Sequence, residues 1–175
     1  MVLYRRNYVP GGTYFFAVAL RNPRLSLLTD WIEELRHSVR HVLRQQPFRM
    51  DAWVVLPEHL HAVWTLPPGD ADYSSRWKTI KGKFSHRIAK AGAPVKKKPD
   101  GSYDVWQDRF WEHTIRNEAD FSRHIDYIHY NPVKHRHVNR VRDWPFSTFR
   151  HYVKAGVYPV DWAGNMTDFV IDYDE

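Results

Sequence analysis

The alternation of apolar and polar positions divides the chain into elements before any chemistry is considered. Thr13 to Leu20 is dense in aromatic and β-favouring side chains and follows Pro10-Gly11-Gly12, which predicts a strand after a turn. Leu25, Leu28, Trp31, Ile32, Leu35, Val39, Val42 and Leu43 then recur at helical spacing, and Pro47 closes the predicted helix. Two short apolar runs, Ala52 to Leu56 and His59 to Leu66, are hinged at Pro57-Glu58 and read as adjacent antiparallel strands. Tyr73 to Ala91 has the pattern of a second, basic helix, and Gly92 to Ser102, with Pro94, Pro99 and Gly101, reads as a loop. Val105 to Ile115 is expected to be a further strand. Asn117 is placed to cap a third helix that runs to about Asn131.

The order strand, helix, strand, strand, helix, strand is the split βαβ pattern. The expected fold class is therefore α+β: a ferredoxin-like antiparallel sheet with helices on one face, plus an added third helix. Residues 1–142 are expected to form one domain. Residues 143–175, with Trp144-Pro145-Phe146 and Tyr158-Pro159, are expected to be a C-terminal tail wrapped on it. No internal repeat interrupts this reading, and 175 residues suit one domain with a real core.

Composition narrows the function classes. A hydrophobic fraction of 43% argues against wholesale disorder, and aromatics at 15%, including 8 Trp, can fill a core, stack on unpaired bases, or do both. No stretch approaches the roughly 20 apolar residues of a membrane span. The segment after Tyr4-Arg5-Arg6 is too short and too aromatic for a signal peptide. The absence of cysteine rules out disulfides and thiolate metal sites and fits a reducing cytoplasm. Net charge is +6 and unevenly placed. Arg76, Lys78, Lys81, Lys83, Arg87, Lys90, Lys96, Lys97 and Lys98 follow one another without an acid, whereas Asp161, Asp168, Asp172, Asp174 and Glu175 close the chain. That polarity suits a polyanion binder, although a solvated helix face and an acidic tail account for it equally well.

The candidate chemistry begins at His59-Leu60-His61. With a period of two, His59 and His61 project from one face of their strand, and Leu60, Ala62, Trp64 and Leu66 from the other. Two imidazoles so placed can hold one divalent cation. Among 11 histidines such pairs also arise by accident. His135-Arg136-His137 is assigned to a basic loop, and His37 with His41 to a solvent face. On the third helix Tyr127 and Asn131 are four apart and share a face, with His124 nearby. A tyrosine can attack phosphorus and store the broken phosphodiester as a phosphotyrosine, and a nearby cation helps a phenol react at neutral pH. The two imidazoles and the Asn131 amide oxygen leave coordination positions free for substrate, which suits Mg²⁺ or Mn²⁺, with zinc also compatible with imidazole. No nucleotide cofactor is needed. The innocent alternatives are that Asn131 ends the helix before Pro132 and that Tyr127 lies at the core rim.

These residues also carry a resemblance. Tyr4-Arg5-Arg6, Pro10-Gly11-Gly12-Thr13-Tyr14-Phe15-Phe16, Leu56-Pro57-Glu58-His59-Leu60-His61 and Tyr127-Ile128-His129-Tyr130-Asn131-Pro132-Val133-Lys134 resemble REP-associated tyrosine transposases, bacterial single-tyrosine HUH enzymes related to insertion-sequence transposases. Trp106 to His113, Arg116-Asn117-Glu118 and Asp143 to Phe149 extend the likeness over nearly the whole chain. The resemblance implies a bacterial cytoplasmic enzyme that cleaves and joins single-stranded DNA beside hairpins of extragenic palindromic repeats, through a 5′-phosphotyrosine and a free 3′-hydroxyl. It implies Tyr127 as nucleophile and His59, His61 and Asn131 as metal ligands, Asn131 standing where insertion-sequence relatives usually carry glutamine. It also implies a tail bound back near the active site and an enzyme able to work as a monomer. DNA is expected on Lys78, Lys81, Lys83 and Arg87 through phosphates, with Arg5, Arg6, Arg109, Arg116 and Lys134 as further contacts. Two other readings stay open: a non-catalytic hairpin or single-strand binding module, and a metal-dependent hydrolase that uses water and leaves Tyr127 without a role.

Overall fold

Strand periodicity sorts side chains onto two faces, and the helices follow that sorting. The computed structural model describes residues 5–164. Strands β1 (Thr13–Ala19), β2 (Arg49–Val55), β3 (His59–Thr65) and β4 (Trp111–Thr114) form one antiparallel sheet in the order β2-β3-β1-β4. Each crossover therefore joins two strands with a third between them, which is the split βαβ arrangement. Tyr14, Phe16 and Val18 of β1 and Leu60, Ala62 and Trp64 of β3 face one side. There they meet α2 (Ile32–Gln45) and α3 (Tyr73–Lys90), whose Leu35, Val39, Trp77, Ile80 and Phe84 are buried in the same cluster. The centre of this layer is aromatic: Trp64 stacks on Trp77 at 4.3 Å and 14°. Phe15, Val54 and Val63 face the other side and pack with Ile125 and Ile128 of α4 (Glu118–Lys134).

Turn chemistry sets the entry to β1. Gly11 has φ +68, and a Cβ on Gly12 would lie 2.8 Å from the Val9 carbonyl oxygen. Tyr14 Oη donates to that same carbonyl. Asp72 caps α3 by accepting from the Ser75 N–H, and Asn117 caps α4 by accepting from the Asp120 N–H, as its position predicted.

Several boundaries differ from expectation. The first predicted helix is two: α1 (Leu27–Asp30) stops at Trp31, whose ψ of 36° lies outside the helical range, and α2 restarts at Ile32. The predicted strand over 105–115 is broken. Trp106 bridges to Leu20, then the polar Gln107-Asp108-Arg109 run leaves the sheet, and β4 begins only at Trp111. α4 does not stop at Asn131 but continues through Pro132 to Lys134; a proline in the last turn forfeits one backbone hydrogen bond without stopping the helix there. Arg76, counted in the basic run, is 2% exposed and bound to Asp70 and to the carbonyls of Gln46, Pro47 and Asp72.

Residues beyond α4 close the open edge of β2. The Val55 N–H donates to the Phe146 carbonyl, the Thr148 N–H to that of Trp53, and Trp144 Nε1 to that of Val55. A short helix, α5 (Phe149–Lys154), then brings Phe149 against Tyr158 and Trp162 over the α4 layer. Tyr4 and the acidic residues Asp168, Asp172, Asp174 and Glu175 lie outside the described residues.

Candidate active site

The α4 face of the sheet is only partly covered. α4 lies mainly across β2 and β3 and meets β1 and β4 at Phe15 and His113, leaving the Ala17 to Ala19 end of β1 open. Register puts small side chains there: Ala17 pairs with His61 and Ala19 with His59. The result is a cleft of 480 Å³ lined by both histidines, both alanines, Arg109 and Trp111, among others.

The strand delivers His59 and His61 to this face, as the period of two predicted; their rings lie 4.9 Å apart. His59 Nδ1 sits 2.9 Å from Glu58 Oε1. In the neutral imidazole this carboxylate accepts a hydrogen bond from Nδ1–H and leaves the lone pair on Nε2, which is buried and has no hydrogen-bond partner among the described residues. The hydrogen bond with His59 holds Glu58 below the ordinary carboxylate range. His61 is fully buried; burial first, then nearby His59, His135 and Lys134, hold it well below the ordinary histidine range and therefore neutral.

α4 brings Tyr127 to the same place. Its ring lies 5.3 Å from that of His61 and 5.9 Å from that of Phe15, both edge-on. One turn later Asn131 is fully buried, with neither amide atom hydrogen-bonded among the described residues. Burying an amide in that way is unfavourable without a ligand for its oxygen. The donors on these two elements are of kinds that suit a divalent cation: one imidazole nitrogen oriented by a carboxylate, one neutral imidazole, and an amide oxygen.

A second cluster, His113, Asp120 and His124, also has ligand atoms within 4.8 Å of one another. Its geometry is that of an ion-pair network. Asp120 accepts from the Arg116 N–H and is held by His113 Nε2 and Arg123. His124 places Nδ1 2.7 Å from the Asp120 carbonyl, and the two rings lie face to face at 4.7 Å and 15°, so their in-plane lone pairs do not converge.

Known proteins with the same plan can now be set beside this geometry. The family model for IS200-like transposases matches residues 12–131, from the Gly12 turn to Asn131. The chain belongs to the IS200-like transposase family. Within it the chain is similar to the REP-associated tyrosine transposase of Escherichia coli K12, 54% identical over 95% of this chain and 93% of that one. A Haemophilus influenzae protein provisionally given the same name is 42% identical over 93% of each chain. A solved structure of a REP-associated tyrosine transposase bound to a REP hairpin superposes with a TM-score of 0.86 at 53% identity, covering 97% of this chain and 95% of that one. Among the described residues no helix is long and apolar enough to cross a membrane.

The remaining residues singled out from the sequence of this family member scatter. Arg109 is exposed and lines the cleft. Arg6 is held by Glu112 at 2.6 Å and lies over Phe110, while Arg5 is exposed. Arg116 is exposed and reaches Asp120. The basic helix α3 packs on the far face of the sheet, and its cations diverge. Lys78 is exposed; Lys81 donates to the Gln107 carbonyl and so holds the segment that rims the cleft, with burial lowering its pKa. Arg87 turns toward α2 and pairs with Glu34, and Lys83 lies on that flank near His41. Two further residues arrive beside the histidines and the tyrosine, Lys134, expected as a DNA contact, and His135. His135, placed in a basic loop, has its ring 5.0 Å from that of His59. Lys134 donates to Tyr127 Oη at 3.3 Å. Both follow from the continuation of α4, and their spacing of seven and eight from Tyr127 is the signal that would have found them.

Proposed function

We propose that the protein is a metal-dependent endonuclease and strand transferase for single-stranded DNA, acting at hairpin-forming REP-type repeats through a 5′-phosphotyrosine. The observation that carries this reading is the 5.3 Å approach of the Tyr127 ring to buried His61, which lines a cleft open to solvent. In it Tyr127 Oη attacks a DNA phosphorus, the bond to O3′ breaks, and the 5′ side stays on the tyrosine until a 3′-hydroxyl reverses the step. His59, His61 and Asn131 would hold Mg²⁺ or Mn²⁺, which when bound would polarise a phosphate oxygen and offset transition-state charge.

Glu58 keeps His59 oriented, and Arg109 at the cleft mouth meets the phosphate backbone or an unpaired base. Arg5, Arg116 and Lys78 remain exposed enough to contact phosphates, while Arg87 is paired with Glu34. Nucleophile and histidines come together within one chain, which supports action as a monomer. Residues 143–175 are read as a tail of the same domain, and the bacterial cytoplasm as the place of action. Incubation with a labelled REP-type hairpin and Mg²⁺ or Mn²⁺, followed by denaturing electrophoresis, tests the reading. A label that stays on the protein and is lost in Tyr127→Phe supports it. Cleavage without an adduct would make the protein a water-using hydrolase, and binding without cleavage a hairpin-binding module.

A further inference from the structure

The continuation of α4 past Asn131 places a cation on the candidate nucleophile. Lys134 is two helical turns beyond Tyr127, a separation that returns a side chain to nearly the same face. Its Nζ stands 3.3 Å from Tyr127 Oη and 4.9 Å from the centroid of the phenol ring. Lys134 itself is exposed, whereas Tyr127 is 2% exposed. A long, flexible side chain at an exposed position folds back over a buried phenol. Its place in the last turn of α4 adds the negative end of the helix dipole beside the ammonium, which favours a fixed positive charge there.

Resting on the reading of Tyr127 as nucleophile, we propose that Lys134 is a catalytic residue whose ammonium stabilises the negative charge on Tyr127 Oη as its bond to phosphorus forms and breaks. In cleavage the phenol proton passes to water, the Oη–P bond forms, and the P–O3′ bond breaks with its electron pair going to O3′, which takes a proton from water. In joining, a 3′-hydroxyl loses its proton to water, its oxygen bonds to phosphorus, and the Oη–P bond breaks. The electron pair returns to Oη beside the ammonium, and the phenolate is then reprotonated from water. The lysine keeps its own proton throughout. It helps most where Oη carries most charge, at the departure of tyrosine during joining.

A phosphate contact made by the same lysine would act on DNA affinity instead, and the two roles separate experimentally. Single-turnover rates of adduct formation and of joining are measured at saturating hairpin with Mn²⁺ for the full chain, for Lys134→Met and for Lys134→Arg. Hairpin affinity is measured in the Tyr127→Phe background, and thermal melts check folding. The expected result is a fall on the order of 10²–10³-fold in both rates for Lys134→Met, larger in joining, with affinity unchanged and Lys134→Arg retaining most of the rate. Replacing Tyr127 by 3,5-difluorotyrosine, a more acidic phenol and better leaving group, should restore much of the joining rate lost in Lys134→Met. It should change the lysine-bearing enzyme little. A loss confined to affinity, or a rate loss that the fluorinated phenol does not repair, overturns the proposal. A wild-type chain that forms no adduct at all overturns the tyrosine reading beneath it, so the two failures are told apart.

Discussion

On one face of the sheet α2 and α3 close completely over Trp64, Phe16 and Leu60; on the other, α4 closes over β2, β3 and the Phe15 end of β1 and leaves a cleft beside Ala17 and Ala19. Among the described residues both faces bury polar atoms without hydrogen-bond partners, but of different kinds. Under α3 these are the indole N–H groups of Trp64 and Trp77, which carry no available lone pair. Under α4 they include His59 Nε2 and the Asn131 amide, which can accept a metal. The first face has the chemistry of a core and the second that of a site. The two are separated by one strand thickness, because adjacent residues of β3 point opposite ways. Leu60 and Ala62 support the core while His61 between them faces the cleft.

The comparison breaks most sharply at Tyr127. Tyr127→Phe keeps the ring against His61 and Phe15, so the fold should persist while adduct formation and cleavage fall by on the order of 10⁴-fold or more. Retained cleavage in this variant would remove the tyrosine from the mechanism. On the opposite face, Trp64→Ala empties the stack with Trp77 and should destabilise by about 3–5 kcal/mol, lowering Tm by roughly 6–20 °C. Below that Tm the rate per folded molecule should match wild type. If activity fell in step with Tyr127→Phe at temperatures where the variant is folded, the two faces would not be separable.

A gentler change on the site face is Glu58→Gln, which keeps shape but removes the charge that orients His59. Apparent Mn²⁺ affinity, read from metal titration of cleavage, should weaken by about 10–100-fold with the melting curve little moved. An unchanged titration would mean that His59 needs no such support. The smallest effect is expected at Asp120. Burial would raise its pKa, but the hydrogen bonds from His113 and from the Arg116 N–H and guanidinium outweigh it, and the carboxyl lies well below its ordinary range. A folded-state pKa below the unfolded one contributes stability that is present above the unfolded value of about 3.9 and lost as pH falls toward the folded value. Asp120→Asn should therefore cost about 1–2 kcal/mol at pH 7, and urea titrations of the two proteins should converge as pH drops below about 4. A gap that stayed constant between pH 7 and pH 3 would assign the loss to shape rather than to charge.

Much of the site was legible in the sequence because it depends on local geometry. The faces of His59 and His61 follow from strand period alone, and the shared face of Tyr127 and Asn131 from helical spacing. The Asn117 cap was readable because an asparagine opening a helical pattern has a specific donor to satisfy. The misreadings occurred where a local signal met a long-range one. Pro132 signals a helix end, yet α4 packs on the sheet and continues to Lys134, which brings Lys134 and His135 to the site. The basic run of α3 looked like one surface, but its members were divided among partners distant in sequence. Arg76 went to Asp70 and the carbonyls before β2, Arg87 to Glu34, and Lys81 to Gln107.

The sequence by itself determined which residues share a face, where most elements begin, and that two imidazoles share one strand face while a tyrosine and an amide share one helix face. These are properties of a backbone period, and a period is set by neighbours along the chain. Only the tertiary structure decided that α4 covers β2, β3 and the Phe15 end of β1, that Ala17 and Ala19 leave room opposite the histidines, and which cations arrive at the cleft. Those outcomes depend on which surfaces bury best and which charges find partners. Both are settled between residues far apart in sequence, where no local pattern reaches.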